Sequence, residues 1–536
     1  MRYIVIPSAK FAPLQLNNYG DIPMALYPIN NSPIIRLILS EYTKNDKFIL
    51  VGFEGYSQLS KYAKTIKDYN VEVIKLEKLS NLSYSIEKAI DNINFNEGDE
   101  LIVNFADTVV DNNDVIGDTI IYKPEKCVNS KWSYFVTKDG IIDYVIDKRD
   151  EKTKGDYKLI CGVFSISSPK DFLKELKRRN ENENIFDCII RYSYIHKFKF
   201  IEAVNWLDIG HPEEYFNSKI AIKSREFNHM FFDKNRGILR KTSDDKKKFV
   251  GEIEWYIKLP KQLKYVAPRI FDYSTDYNDM FIEMEFYSYP TLLELNLYGN
   301  LDHNDWKRIF SKLHFVLDDF KKFSVRNNQI ISAIYEMYYK KTIERLKKLR
   351  ENNNFITFFE KNIEVNGIRY ISLDNLCLKL EDIVKENLLN IDEFNIIHGD
   401  MCFANILVDD KLNFIKLIDP RGNFGGFDIF GDQRYELAKL MHSIDGKYDY
   451  IIKDLFDINV EGNSITLKFE PSKVNIYQIL VDSFNNEIKS HQKEIEIIES
   501  LLFLSMIPLH NENINHQYAM LAVGLQILNR WIDIKQ

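Results

Sequence analysis

Residues 396–422 read IIHGDMCFANILVDDKLNFIKLIDPRG, and three side chains in this stretch have the types and spacing to do chemistry: Asp400, Asn405 and Asp419. An apolar run ends in His398-Gly399-Asp400, a short loop follows, and Asn405 opens a second apolar run, Ile406-Leu407-Val408. A turn over 409–413 leads into a third apolar run that closes on Asp419. Two carboxylates and a carboxamide are thus expected at strand ends and in a loop, not on solvated helix faces. Phosphoryl transfer uses such a set: one carboxylate orients the attacking hydroxyl, and oxygen ligands hold magnesium on the nucleotide phosphates. A β-hairpin with polar turns is the competing reading, because His-Gly-Asp alone is a weak signal.

The spacing from Asp400 to Asn405, with an Asp closing the next strand, resembles the catalytic segment of the aminoglycoside phosphotransferase and choline kinase families, relatives of protein kinases. The resemblance implies an α+β bilobal protein-kinase-like domain with ATP as phosphoryl donor. In it Asp400 is the catalytic base, and Asn405 and Asp419 are ligands of Mg2+. Upstream, 237–243 reads as a strand carrying Lys241, the expected α/β-phosphate lysine. A helix over 249–259 offers Glu252 to pair with Lys241, with Glu254 as the competing choice. Residues 281–286 resemble the hinge strand, whose backbone meets adenine at Glu285 and Phe286. The region 305–350 reads as helical scaffold. Arg421 stands two residues after Asp419, with flexible glycines following. A guanidinium there favours an anionic or polyhydroxyl substrate, or stabilises the transferring phosphate, unless it only anchors the loop. Cys402 reads as packing.

The elements that must position a second candidate site lie at the start of the chain. Strands are expected at 3–6, 48–51, 71–76 and 101–105, with helices between them at 32–42, 56–68 and 83–93. This alternation predicts an α/β domain with a parallel, doubly wound sheet. Ligands of such sheets bind at the carboxyl ends of strands, where Asp107 falls. IPSAK with IPMALYPINNSPIIRLIL, LIVNFADTVV, and Trp206-Leu207-Asp208-Ile209-Gly210-His211-Pro212-Glu213 together resemble the sugar-phosphate nucleotidyltransferases of GT-A/Rossmann-like fold. The resemblance spans roughly residues 1–220. It implies that Asp107 and Asp208 are metal ligands, that Cys161 to Phe164 line a sugar pocket, and that Lys148 pairs with the sugar phosphate. It also implies a second NTP, CTP or UTP, as substrate. The family's glycine-rich loop is missing, since 8–13 read SAKFAP, and Met24 stands where a lysine is expected. Lys10 is the candidate to replace the lost charge.

At 536 residues the chain is too long for one ordinary domain. The reading divides it into 1–222, nucleotidyltransferase-like, and 223–536, kinase-like, with a small lobe over about 223–290 and a large lobe over about 291–536. A helix over 213–226 ends the first domain, and a hairpin opens at Phe227. A 45% hydrophobic, 28% charged composition is that of a globular protein with sizeable cores. A formal charge of −8 gives no electrostatic case for nucleic acid or anionic membrane. The cysteines (Cys127, Cys161, Cys188, Cys377 and Cys402) are odd in number and form no C-x-x-C pair, which suits a reducing cytoplasm. The opening MRYIVIPSAK is too short an apolar run for a signal peptide, and no membrane insertion is expected.

Together the two resemblances imply a bifunctional enzyme supplying an activated donor for surface or capsule polysaccharide synthesis. It would phosphorylate a sugar or small polyol with ATP and couple the product to a nucleotide. Three alternatives stay open: a kinase with a degenerate N-terminal domain, an N-terminal nucleotide-sugar glycosyltransferase, and a binding or regulatory pseudoenzyme. A homo-oligomer is compatible with the sequence but not specified by it.

Overall fold

The computed structural model describes residues 1–536 except 17, 112–114, 150–154, 227–229, 471–473 and 536, and the side chains of 221–226. Phe227, where the sequence opens its hairpin, lies outside the described residues. The chain divides into two compact units, Met1–Arg225 with Tyr298–Asn300, and Glu226–Leu297 with Leu301–Gln536.

The first unit is built on a nine-stranded sheet among the described residues. Its parallel part runs Glu100–Asn104, Arg2–Ser8, Lys47–Gly52, Asn70–Lys75, and the intervening helices include Ile34–Ser40, Tyr56–Ala63 and Leu82–Asp91. The three inner strands are buried on both faces, so they read as continuous apolar runs such as Ile4-Val5-Ile6 and Ile49-Leu50-Val51, whereas the edge strand Asn70–Lys75 is partly exposed. The expectation of a parallel sheet holds for this part and for Lys199–Glu202, which pairs parallel with Thr119–Glu125. Tyr157–Ile166 pairs antiparallel with Glu100–Asn104 and also with Ser133–Lys138 and Thr119–Glu125, making the sheet mixed. The reason is local: among the described residues no crossover helix lies between Asn104 and Tyr157, and parallel pairing would need one. A separate short pair, Thr108–Val110 with Trp206–Asp208, links two distant parts of the chain beside the sheet.

The second unit opens with a four-stranded antiparallel sheet, ordered Met230–Asp233, Ile238–Lys241, Phe281–Glu285, Ile270–Ser274. Helix Lys246–Lys258 follows the second of these strands; the Asp245 side chain caps it by accepting from Lys248 N at 3.1 Å. Its buried residues Phe249, Glu252, Ile253 and Tyr256 follow helical spacing, which places one carboxylate on the inner face. The remainder is mainly helical, with Gln433–Ile444, Asn485–Met506 and Ile514–Leu528 forming much of its interior. The region expected as helix over 305–350 is interrupted. Helix His303–Lys321 ends, Ser324–Arg326 pairs as a strand with Glu393–Ile396, and Ile330–Tyr335 runs through a π-helical turn, Glu336–Lys340, into helix Lys341–Arg350. Among the described residues no helix is long and apolar enough to cross a membrane.

Candidate active sites

The hairpin Ile406–Val408 with Ile415–Leu417 carries Asn405 and Asp419 at the same, open end: Ile406 is opposite Leu417, and Ile418 N–H donates to the Asn405 carbonyl oxygen at 3.0 Å. Asp400 lies in the loop that leads into it. His398 is fully buried, and its Nε2 lies 3.0 Å from the Ile418 carbonyl oxygen, which ties the loop to the residue before Asp419. Loss of solvent pushes this imidazole down to about 4, so it stays neutral and can donate Nε2–H to that carbonyl. Asn405 Nδ2 donates to the Asp400 carbonyl oxygen at 2.9 Å, and among the described residues Asn405 Oδ1 accepts no hydrogen bond. That oxygen is of the type that ligates magnesium.

Asp400 is flanked by two cations, Lys439 Nζ at 2.9 Å and Arg421 Nε at 3.5 Å. Loss of solvent alone would raise its carboxyl, but Lys439 and then Arg421 outweigh that and hold it well below the usual carboxylate range. Asp400 keeps 21% of its side chain exposed, so a hydroxyl can reach it. Lys439 had no assigned role in the sequence reading. Nor had Glu436, on the same helix, which accepts from His398 N–H and Gly399 N–H at 2.9 Å each and so fixes the loop backbone. Both are fully buried, and a signal for them existed: Arg434, Glu436 and Lys439 are charges on a helix otherwise apolar enough to be core.

Lys241 Nζ lies 2.7 Å from Glu252 Oε1 and 2.7 Å from Asp419 Oδ1. Loss of solvent pushes the Glu252 carboxyl up, with Lys241 opposing and Asp419 adding to it. Glu254, the competing choice, lies on the outer side and pairs with Lys258 at 3.0 Å. Asp419 has positive φ, +57°, and its N–H donates to Tyr256 OH at 3.2 Å, so helix Lys246–Lys258 holds the metal-ligand candidate as well as the lysine's partner. Of the glycines after Arg421, Gly422 is closely packed and Gly426 is exposed with open space around it. A Cβ on Gly422 would collide with the Gly251 carbonyl oxygen, and one on Gly251 would lie 2.7 Å from the Arg421 carbonyl oxygen. The two glycines are what let the loop and the helix touch. Glu285 and Phe286 stand at the end of the third strand. Their N–H groups already donate to Arg269 O at 2.8 Å and Gly237 O at 3.0 Å, so neither offers a backbone donor to a base. Cys402 is buried and its thiol is pushed up to about 12 by loss of solvent, as suits packing.

In the first unit, Asp107 and Asp208 meet through the Thr108–Val110 and Trp206–Asp208 pairing, where Asp208 is opposite Thr108. Ile209 N–H donates to the Asp107 carbonyl oxygen at 2.9 Å. Loss of solvent and the Asp208 carboxylate push the Asp107 carboxyl up to about 6. A divalent cation would relieve that repulsion, and to this extent the pair fits magnesium. Asp208 is also well satisfied by protein: Oδ2 accepts from Trp132 Nε1 at 2.7 Å and lies 2.7 Å from His211 Nδ1, while Oδ1 accepts from Gly210 N at 2.9 Å. Lys148 is exposed, has φ of +47°, and its charge acts on Asp107. Lys10 is exposed. The loop over 8–13 fits a triphosphate poorly, because Phe11 N–H donates to Glu54 Oε2 at 3.0 Å and Ala12 N–H to Ile22 O at 2.9 Å. A carboxylate already stands where phosphate oxygens would be cradled.

No family model matches the chain, and no curated protein matches it. Among solved structures, its N-terminal part is similar to HddC from Yersinia pseudotuberculosis, at 16% identity and TM-score 0.34, covering 41% of this chain and 100% of that one. It is similar to the inositol-1-phosphate CTP transferase from T. maritima at 16% identity and TM-score 0.34, covering 42% and 96%. Similarity to CTP:phosphocholine cytidylyltransferase (LicC) from Streptococcus pneumoniae is at 13% identity and TM-score 0.33, covering 41% and 99%.

Proposed function

We propose that the second unit is an ATP-dependent kinase of a small-molecule alcohol. The observation that carries this reading is the joining of Lys241 to both Glu252 and Asp419, on a chain that also brings Asp400 and Asn405 to the same hairpin. Lys241 contacts the nucleotide phosphates and Glu252 holds it in place. Asn405 Oδ1 and Asp419 would hold magnesium, which would supply positive charge against the nucleotide phosphates. Asp400 accepts a hydrogen bond from the acceptor hydroxyl and aims its oxygen at the γ-phosphorus. The new O–P bond forms, the bond from the γ-phosphorus to the ADP oxygen breaks, and the hydroxyl proton passes to Asp400 and on to solvent. A carboxylate held as acidic as Asp400 is a poor base toward a resting alcohol, so its work is orientation, with the proton moving late.

For the first unit, the paired carboxylates Asp107 and Asp208 support magnesium-dependent nucleotidyl transfer onto the phosphorylated product, which would make the chain bifunctional and a source of activated donors for glycan synthesis. Glu54 on the Phe11 amide favours a second reading, a kinase whose N-terminal unit has retired from triphosphate chemistry. The domains proposed are 1–222 and 223–536, acting on small molecules in the cytoplasm. The full chain with ATP, magnesium and a panel of sugars, polyols and their acids, read by phosphorus NMR, tests the kinase. Adding each of the four NTPs to the product and assaying pyrophosphate tests the first unit. ATP left intact with every acceptor would overturn the kinase reading.

A further inference from the structure

Positive charge exceeds negative charge around Asp400. Lys439 and Arg421 lie 2.9 and 3.5 Å from its carboxylate. Two further cations, Lys341 and Arg345, come from helix Lys341–Arg350, and their four-residue spacing puts them on one face. Contacts on the preceding turns hold this helical stretch against the chain after Asp419. Tyr338 OH donates to Asp432 Oδ2 at 2.9 Å, its ring centroid is 5.9 Å from that of Phe424, and a Cβ on Gly425 would lie 2.6 Å from Ala333 Cβ. Arg345 reaches only neutral acceptors, Ser505 O at 3.2 Å and Ser505 Oγ at 3.4 Å. Lys341 is half-buried and makes no hydrogen bond or ion pair among the described residues. Arg421 Nε is buried and lacks a hydrogen bond. Of the other acids nearby, Glu436 is engaged by the His398 and Gly399 amides, Asp419 by Lys241, and Asp449 by Ser443 Oγ and Asn296 Nδ2.

Two cations therefore flank a carboxylate that a substrate can reach, and two more, Lys341 and Arg345, stand on the helix packed against the chain that follows Asp419. Loss of solvent, then the charges of Arg421, Arg345 and Lys439, push the Lys341 ammonium down to about 7, as expected where cations are held together without enough counter-charge. The π-helical turn Glu336–Lys340 falls directly before Lys341, a distortion that re-aims side chains and recurs at functional sites.

We propose that the phosphoryl acceptor is an anionic alcohol, whose carboxylate or phosphate group docks on Lys341, Arg345 and Arg421 while its hydroxyl meets Asp400. This rests on the kinase reading and narrows its substrate class. Lys341 and Arg345 are binding residues: they complete their own charge balance only with the acceptor present, and a neutral polyol leaves them uncompensated. Discrimination between charged and neutral acceptors follows from that desolvated, unpaired charge.

The test uses the full chain with ATP and magnesium and matched probes: glycerol against glycerate and glycerol 3-phosphate, and glucose against gluconate and glucose 6-phosphate. Calorimetry with a non-hydrolysable ATP analogue present measures binding, and ADP release measures turnover. At least one anion is expected to bind where its neutral partner does not, and the carboxylate and phosphate arms show which group the site takes. Lys341→Met should weaken that anion about tenfold to a hundredfold, with the KM for ATP unchanged and an unaltered melting profile. Lys341→Arg should retain most of the binding. Neutral probes preferred over anions, anion binding indifferent to Lys341→Met, no anion bound at all, or an effect confined to the KM for ATP would each overturn the proposal. Lys341-dependent anion binding without any phosphoryl transfer would leave the anion site standing and defeat the kinase reading instead.

Discussion

Lys241 Nζ donates to Asp419 Oδ1 at 2.7 Å, so the lysine proposed for the phosphates rests on the carboxylate proposed for the metal. Glu252 shares the same ammonium at the same distance. Two carboxylates on one lysine is an arrangement that a nucleotide would reorganise: phosphate oxygens take the lysine, magnesium takes Asp419, and Glu252 keeps its hold. Under the kinase reading, the Lys241–Asp419 pair is the contact that Mg-ATP would displace.

Lys241→Ala should leave the buried Glu252 without its cation, at a stability cost on the order of 3 kcal/mol above neutral pH. Because loss of solvent raises the Glu252 carboxyl and Lys241 opposes that rise, the carboxyl should rise further in the variant, and the penalty should shrink as pH falls through that higher value. Chemical denaturation of wild type and variant at several pH values measures this. A penalty that is constant with pH would refute the buried-charge account.

Asp419→Ala should abolish magnesium-dependent ATP binding while hardly affecting metal-free nucleotide, and Asn405→Ala should give a milder loss, since a carboxamide carries no full charge. Calorimetry with and without magnesium separates the two. Unchanged Mg-ATP affinity in Asp419→Ala would remove the metal role.

Asp400→Asn should slow phosphorylation about 10²–10⁴-fold with little change in ATP affinity. Lys439→Met tests the same carboxyl by a different route. Lys439 is the leading cation holding Asp400 acidic, so its loss lets the carboxyl rise. Protonation on the acid side then removes the needed carboxylate at higher pH than in wild type, and the acid limb of the kcat/KM profile should move upward. A limb that stays put would show that Asp400 does not set it.

Asp107→Ala and Asp208→Ala should each eliminate pyrophosphate release by the first unit and leave the kinase step intact. Pyrophosphate release from the authentic kinase product with one of the four NTPs, dependent on both residues, supports bifunctionality. Its absence with all four supports the retired domain.

Gly422→Ala should destabilise by about 1–3 kcal/mol, because a side chain meets both a positive φ and the Gly251 carbonyl oxygen. Thermal melting and the KM for ATP should deteriorate together, as the loop and the helix part.

The strand-and-loop placement of Asp400, Asn405 and Asp419 was legible because apolar runs and polar residues alternate cleanly there. The parallel strands of the first unit were legible for the same reason: fully buried strands leave unbroken apolar runs. The antiparallel half of that sheet was not, since pairing direction is set by connections rather than by any one strand. Helix spacing could not choose Glu252 over Glu254; the choice came from which face the tertiary structure covers. Lys341 and Arg345 were opaque because a half-buried lysine or arginine looks in sequence like one on a solvated helix, whereas Lys439 left a signal as a charge on an otherwise apolar helix. The Gly251–Gly422 approach was hidden for a similar reason, as each glycine alone reads as freedom and only the pair reads as contact.

Helix Lys246–Lys258 is moored to the rest of its unit at three heights: Gly251 against Gly422, Trp255 Nε1 donating to Ile397 O at 2.7 Å, and Asp419 N–H donating to Tyr256 OH. Kinases that are switched by phosphorylation depend on moving the helix that bears this glutamate, making and breaking its lysine pair. Under the kinase reading, a helix held to the backbone on both sides of the hairpin would lack such a stroke. The lysine–glutamate pair would be standing equipment, and throughput would be governed by how much acceptor and ATP arrive.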